Sequence, residues 1–402
     1  MADPLARNPV LLCLIRGMQM ALFPMAILSV FLQREIGFGV AEIMLLQAVF
    51  GVAMVLFEFP SGYLADRIGY RRCLILAFAL WTIAWPIYGQ AQGWLGVASA
   101  ELLLGIGMAL ISGCDTALLY ESLLSQQKEQ NFMQWAGRLT FSGQLAEGSA
   151  ALAAGLMFAS ATSLPFWAQG GASALALLLA LALVEPERER PSFADSFGQI
   201  RGMVRHVMVE NPELRAVFAA AVVLGLASFV PVWTIQLYAL DAGVPEPWMG
   251  PLWAVANFTV AIAALLSHRV FGSRSLGLVV GLCSALILAG YLGLGLSHGL
   301  WGFAFYYLLT LMRGLQSPAL HHREQQLVPS SDRAGFISLR SMVFRIGFLA
   351  IGPAVGWAVD THGQHPIMLA LAAFFTLASL LILLLLPRAR PWPADAPRSA
   401  SD

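Results

Sequence analysis

The sequence predicts an all-α integral membrane protein, with twelve transmembrane helices in two pseudo-symmetric six-helix bundles. Three observations carry this expectation. Of the 402 residues, 58% are hydrophobic and a further 37 are glycine, while only 11% are charged, against about 25% in a soluble domain. Apolar runs of about 20 residues, enough helix to cross a ~30 Å hydrocarbon core, recur along the whole chain with polar punctuation between them. The longest polar stretch, 185–213, follows the sixth run and divides the chain into six plus six. A soluble surface cannot be covered with so few charges, which excludes an ordinary soluble enzyme and a nucleic-acid binder.

The helices are expected near 10–32, 42–64, 73–90, 94–120, 134–159, 164–184, 213–238, 248–270, 276–296, 299–320, 336–359 and 365–386. The corresponding organisation is an N-terminal bundle over 1–185, a linker over 186–212, a C-terminal bundle over 213–387 and a tail over 388–402. The short alternating segments of a β-barrel are missing. The first run is continuous, contains Arg16 and lacks a small-residue cleavage site, so it reads as a retained span and not as a signal peptide. In the linker, Phe193, Phe197, Ile200, Val204 and Val207 recur at helical spacing, the pattern of an amphipathic helix lying on a membrane surface.

Net charge is zero, with 23 basic and 23 acidic residues, and the positions say more than the sum. Eighteen basic residues fall on one side of the expected spans, Arg34 alone falls opposite, and Arg16, Arg138, Arg313 and Arg345 lie inside. The positive-inside rule then places both termini and the central loop in the cytoplasm, with the chain in the cell inner (plasma) membrane. The halves also echo one another. Pro24 precedes Phe31 by seven residues and Pro231 precedes Tyr238 by seven, an offset of 207; Gly143 and Gly148 fall on Gly347 and Gly352, an offset of 204. Near-equal offsets of half the chain point to duplicated bundles of the kind transporters use.

Cys13, Cys73, Cys114 and Cys283 are far apart in the sequence, with no CxxC or Cys/His spacing, and read as small buried hydrophobes. No metal site is expected. A GxxxxGK[ST] phosphate loop is also missing from the sequence, so ATP hydrolysis and bound cofactors are not expected.

Between the second and third runs stands Gly62-Tyr63-Leu64-Ala65-Asp66-Arg67-Ile68-Gly69-Tyr70-Arg71-Arg72. It resembles the cytoplasmic signature of the major facilitator superfamily, Gly-x-Leu-Ala-Asp-Arg-x-Gly-Arg-Lys. Glu58-Phe59-Pro60-Ser61 before it, and Ser112 to Leu123 in the fourth helix, resemble a prokaryotic branch of that superfamily, often labelled drug efflux or uncharacterised. The resemblance extends over the whole chain and implies a cytoplasmic latch between halves. In it Asp66 meets the N-terminal end of the eleventh helix, near Phe336 to Arg340, and Arg67, Arg71 or Arg72 reaches Glu121, with Gly62 and Gly69 allowing tight turns and close helix approach. The alternative for these arginines is topology and lipid phosphate alone. Two departures stand against a standard proton-antiport drug pump. The pattern Arg-x-x-Gln-Gly-x-Gly meets Glu101-Leu102-Leu103-Leu104-Gly105-Ile106-Gly107, and the Gly-Pro pair of the fifth helix is replaced by Gly148-Ser149.

Ionisable side chains at bilayer depth each need a partner or water. Glu58 and Glu101 lie near span ends and read as snorkelling or bracing groups. Glu147 lies midway along the fifth helix among small residues, and is the leading candidate for proton coupling or substrate binding; the competing reading is a permanent salt bridge with Arg138, Arg16 or an arginine of the second half. Asp115 and Arg138, at similar expected depth on neighbouring helices, are expected to pair. Arg16 is the base best placed to line a cavity in this family, while Arg313, three residues before Gln316, and Arg345, before the Pro353 that can bend its helix, are further candidates. His321 and His322 read as interfacial.

Candidate cavity residues are Gln19, Phe23, Trp233, Gln236 and Asn257, with Met18, Met20, Met25, Tyr238 and Trp253 beside them. This mostly apolar, soft set suits amphipathic organic molecules better than sugars. The expected function is therefore alternating-access secondary transport: proton-coupled export of small hydrophobic or amphipathic compounds by a monomer in the lipid bilayer. The rivals are an importer or symporter of a small organic anion, and a transporter-derived lipid-handling protein or sensor without ion coupling.

Overall fold

A computed structural model describes residues 4–186, 204–271, 275–328 and 333–386. The expected surface helix before residue 204, most of the linker and the 388–402 tail lie outside the described residues, as do the surroundings of Gly62 and the side chain of Asp66. All regular structure among the described residues is helical.

Three spans are broken, two at a proline and one at a glycine. The first consists of α1 (Asn8–Met20), a 3-10 turn over Phe23–Ala26 and α2 (Leu28–Phe31). Pro24 has no N–H to give to the carbonyl one turn back, and Leu22 takes a left-handed φ of 44°. The second and third spans are α3 (Val40–Ile68) and α4 (Tyr70–Gly89). The fourth divides at Gly113, whose φ of +81° suits glycine, into α5 (Trp94–Ile111) and α6 (Cys114–Leu124). Then come α7 (Phe132–Ser160) and α8 (Leu164–Leu181). The seventh span repeats the pattern of the first: α9 (Pro212–Phe229), a 3-10 turn over Val230–Trp233 containing Pro231, and α10 (Ile235–Asp241). The remaining helices are α11 (Met249–Phe271), α12 (Leu276–Leu296), α13 (Tyr306–Leu327), α14 (Arg333–His362) and α15 (Gln364–Leu385).

Ten stretches among the described residues are long and apolar enough to cross a membrane. Helices α7, with 29 residues, and α13, with 22, are also long enough at about 1.5 Å per residue. They carry more polar side chains, Arg138 and Glu147 in one and Arg313 and the segment His321 to Gln326 in the other, and they occupy the places of the expected fifth and tenth spans.

The chain forms two compact units. The first gathers Met1–Phe193 with Val244–Val255 and Leu349–Trp357; the second gathers Ala194–Gly243, Ala256–Phe348 and Ala358–Asp402. In the first unit α1 packs on α7 and α8, α4 on α8, and α3, α4 and α5 on one another. In the second, α12 packs on α15 and α13, and α9 on α13 and α15. At one end of the second unit Val207, Leu214, Phe218, Val328, Phe336 and Leu339 form a buried apolar cluster.

The proline breaks leave main-chain groups without helical partners, and water cannot serve them at depth. In the first unit the buried Gln169 of α8 fills the gap: its Nε2 donates to the Met18 carbonyl at 3.3 Å and the Gln19 carbonyl at 3.4 Å, and its Oε1 accepts from the Phe23 N–H at 3.4 Å. In the second, the Ala227 carbonyl, which Pro231 cannot serve, accepts from the Tyr291 hydroxyl at 2.7 Å. The neighbouring Ser228 carbonyl accepts from Arg313 Nη2. Gln169→Leu keeps the volume and strands three main-chain groups, so it is expected to lower stability by roughly 1–2 kcal/mol, seen as a reduced melting temperature in detergent. An unchanged melt would show that these long hydrogen bonds contribute little.

Candidate functional site

The polar centre of the first unit is built on α1, α6 and α7. Gly113 turns the fourth span so that Asp115 becomes the second residue of α6, where the positive end of a helix favours a carboxylate. Asp115 Oδ1 accepts from the Thr116 N–H at 2.7 Å and its hydroxyl at 3.1 Å, while Oδ2 lies 3.1 Å from Arg16 Nη2. Arg16 Nη1 donates to Gln19 Oε1 at 3.1 Å, and Gln19 Nε2 approaches the Met108 sulfur at 3.7 Å. Arg16, Asp115 and Gln19 are thus one charged and hydrogen-bonded group.

Close helix approach holds that group in place. A Cβ on Gly143 would lie 3.2 Å from Met20 Cγ and 3.3 Å from Arg16 Cγ, so α7 rests directly on the Arg16 stem. Ser142 Oγ donates to the Cys13 carbonyl at 2.8 Å, tying the same two helices. Small residues allow this spacing. Glu147, half-buried, follows Gly143 by four residues and shares its face of α7.

The expected Asp115–Arg138 pair is therefore corrected: Asp115 pairs with Arg16. Arg138 is exposed, with its guanidinium 4.5 Å over the Trp135 ring, a cation–π contact. The glycine contact of α1 with α7 and the break at Gly113 bring Arg16 to the carboxylate instead.

The motif loop also differs from expectation. Arg71 Nη2 donates to the Leu181 carbonyl at 2.8 Å, and Glu185 accepts the Tyr70 and Arg71 main-chain N–H groups at 2.8 and 2.7 Å. Glu185 thereby caps α4 across the tight Gly69 turn, whose φ is +97°. Arg67 and Arg72 are exposed. Glu121 makes no ion pair among the described residues, and the Asp66 side chain lies outside them. Glu185 had a signal in the sequence, an acid directly after the last apolar residue of the sixth run.

In the second unit, Arg313 is committed to the Ser228 carbonyl and, at 3.2 Å, to the Ser228 hydroxyl. Arg345 is half-buried and Gln236 is buried. Trp233 Nε1 and Asn257 Nδ2 are buried donors without a hydrogen-bond partner among the described residues. Phe229 packs edge-on against Trp233, Phe344 and Phe348, with ring centroids 5.0–5.8 Å apart.

A family model for the Major Facilitator Superfamily matches residues 10–347. The chain belongs to the Major Facilitator Superfamily. It is a transporter of that superfamily and not an enzyme. No curated protein matches the sequence. Among solved structures, the nucleoside transporter NupG is similar at a TM-score of 0.74 and 13% identity, covering 95% of this chain and 99% of that one. A bacterial homologue of the human lysosomal transporter Spinster, inward-facing and unoccupied, gives 0.77 at 14% identity over 96% and 97%. The POT family transporter PepTSo gives 0.76 at 13% over 96% and 98%. At these identities the likeness speaks to fold alone.

The second unit holds a further charge cluster, beside the His321 and His322 expected to be interfacial. Glu324 of α13 is buried and accepts from Arg340 Nη1 at 2.8 and 2.6 Å, with His321 Nδ1 at 3.5 Å. Beside it Arg323 bonds Glu213 and, at 2.9 Å, Gln326. Glu324→Gln weakens a pair whose acid is buried and whose arginine is partly exposed, so a loss of roughly 2–3 kcal/mol is expected, measured as thermal stability in detergent; wild-type melting would show the cluster to be a surface ornament.

Proposed function

We propose that the protein is a secondary transporter of the prokaryotic drug-efflux-like branch, working by alternating access and coupling proton entry to export of small amphipathic neutral or cationic compounds. The observation that carries this reading is the engagement of two of the four embedded bases. Arg16 is held by Asp115 and Gln19, and Arg313 by Ser228, which disfavours a site built for organic anions. The half-buried acid Glu147 stands on the same face of α7 that meets Arg16, and the Phe229 ring cluster offers soft apolar surface. Trp233 Nε1 and Asn257 Nδ2 are donors that a substrate carbonyl or ether oxygen would satisfy.

In this reading Asp115 and Glu147 are the candidates for proton coupling, with Arg16 setting the electrostatics of Asp115. The termini and the arginine-rich loops face the cytoplasm of the inner membrane, and the monomer suffices. The test is flux in proteoliposomes of ethidium and of a monocarboxylate such as benzoate, with and without a pH gradient. Gradient-driven ethidium movement supports the proposal; benzoate movement alone would replace it with the anion symporter, and no gradient dependence for either would favour an uncoupled lipid-handling protein.

A further inference from the structure

Glu101 of α5 stands apart from the Arg16–Asp115 group. It is 3% exposed and lies seven residues into its helix from Trp94, about 10 Å along the axis. Its Oε1 accepts two hydrogen bonds, from Gln47 Nε2 of α3 at 2.8 Å and from the Tyr88 hydroxyl of α4 at 2.9 Å. Both donors are neutral, and they come from the two helices packed most closely on α5.

The charged groups of the surrounding helices are distant or engaged elsewhere. On α3, Glu42 binds the Gly39 N–H at 3.0 Å, and Glu58, Asp66 and Arg67 lie at least eleven residues beyond Gln47, ~16 Å of helix or more. On α4, Arg71 and Arg72 are sixteen residues or more from Tyr88, ~24 Å. On α6, which continues the same span, Asp115 is fourteen residues from Glu101, ~21 Å, and Glu121 is farther. Among the described residues Tyr88 is the one titratable group in contact with Glu101. A carboxylate there would be a charge with no counter-ion at bilayer depth, the arrangement that costs most. The neutral acid fits, because its carbonyl oxygen takes both donors and its other oxygen keeps the proton.

We propose that Glu101 is a proton-binding site of the first unit, protonated in the arrangement seen here and discharged when water reaches the contact of α3, α4 and α5. Its protonation stands by itself; its use in the transport cycle rests on the proton-coupled reading above. E101Q separates this from a purely bracing role, since the amide oxygen accepts the same two hydrogen bonds and the amide nitrogen carries no exchangeable acid proton.

The experiment is infrared spectroscopy of the protein in liposomes during a pH titration, beside ethidium flux driven by a pH gradient. Wild type is expected to show a protonated-carboxyl C=O band that fades as pH rises. E101Q should lack that band, melt with the wild type and lose at least tenfold of gradient-driven flux. In Tyr88→Phe the band should move to higher frequency, because the carbonyl loses one of two hydrogen bonds; this variant carries the test if E101Q fails to fold. A band unchanged in E101Q, or unmoved in Tyr88→Phe, overturns the site. Wild-type gradient dependence retained in E101Q overturns its use in coupling. A titrating band in a protein with no gradient-driven flux upholds the site and sinks the coupling reading instead.

Discussion

Asp115→Asn is expected to destabilise the first unit by roughly 3 kcal/mol, because it leaves the Arg16 guanidinium without its counter-ion in a mostly dry environment. The figure sits at the low end for a broken buried pair, since 27% of the Arg16 side chain is exposed against 10% for Asp115. The same change should reduce gradient-driven flux to background. Arg16→Gln alone should cost a similar amount, whereas the double variant Arg16→Gln with Asp115→Asn should recover most of the stability, as two neutral amides need no counter-ion. Melting temperatures of the four proteins in detergent close the double-mutant cycle. If the double variant is as unstable as the sum of the singles, the 3.1 Å contact contributes no coupling energy and the pair has no role as a unit.

Glu147→Gln should have a large effect on transport with a small effect on structure. The substitution keeps size and hydrogen-bonding capacity while removing the group that takes up a proton. Gradient-driven flux is expected to fall by about two orders of magnitude, equivalent to ~2.7 kcal/mol of lost driving interaction, while substrate exchange without a gradient persists. Proteoliposome flux in the two modes distinguishes the outcomes. Loss of both modes together would place Glu147 in the binding of substrate, and wild-type flux in both would remove it from the mechanism.

Much of the architecture could be read from single residues because membrane insertion is a local constraint. A span needs about 20 apolar residues whatever surrounds it, so the helix positions follow from the runs, whereas the structure breaks the spans expected to be continuous over 10–32 and 213–238 at Pro24 and Pro231. Gly113 broke a third, where its left-handed φ ends α5. That break was not foreseen, since a lone glycine in an apolar run is equally compatible with a straight helix. Glu101 shows the opposite limit. Read alone, it was a group near a span end, able to snorkel; packed, it is enclosed by Gln47 and Tyr88, which lie 54 and 13 residues away in sequence.

The division has one physical source. Composition, span positions and the family motif depend on residues close in sequence and on the bilayer as solvent, so the chain alone determined them. Which charges meet depends on helix rotation and interaxial distance, set here by contacts such as Gly143 against the Arg16 stem and by the turn of α6 at Gly113. Only the tertiary structure could give Asp115 to Arg16 and not to Arg138, Glu185 to the start of α4, and Arg313 to the carbonyl of Ser228 exposed beside Pro231.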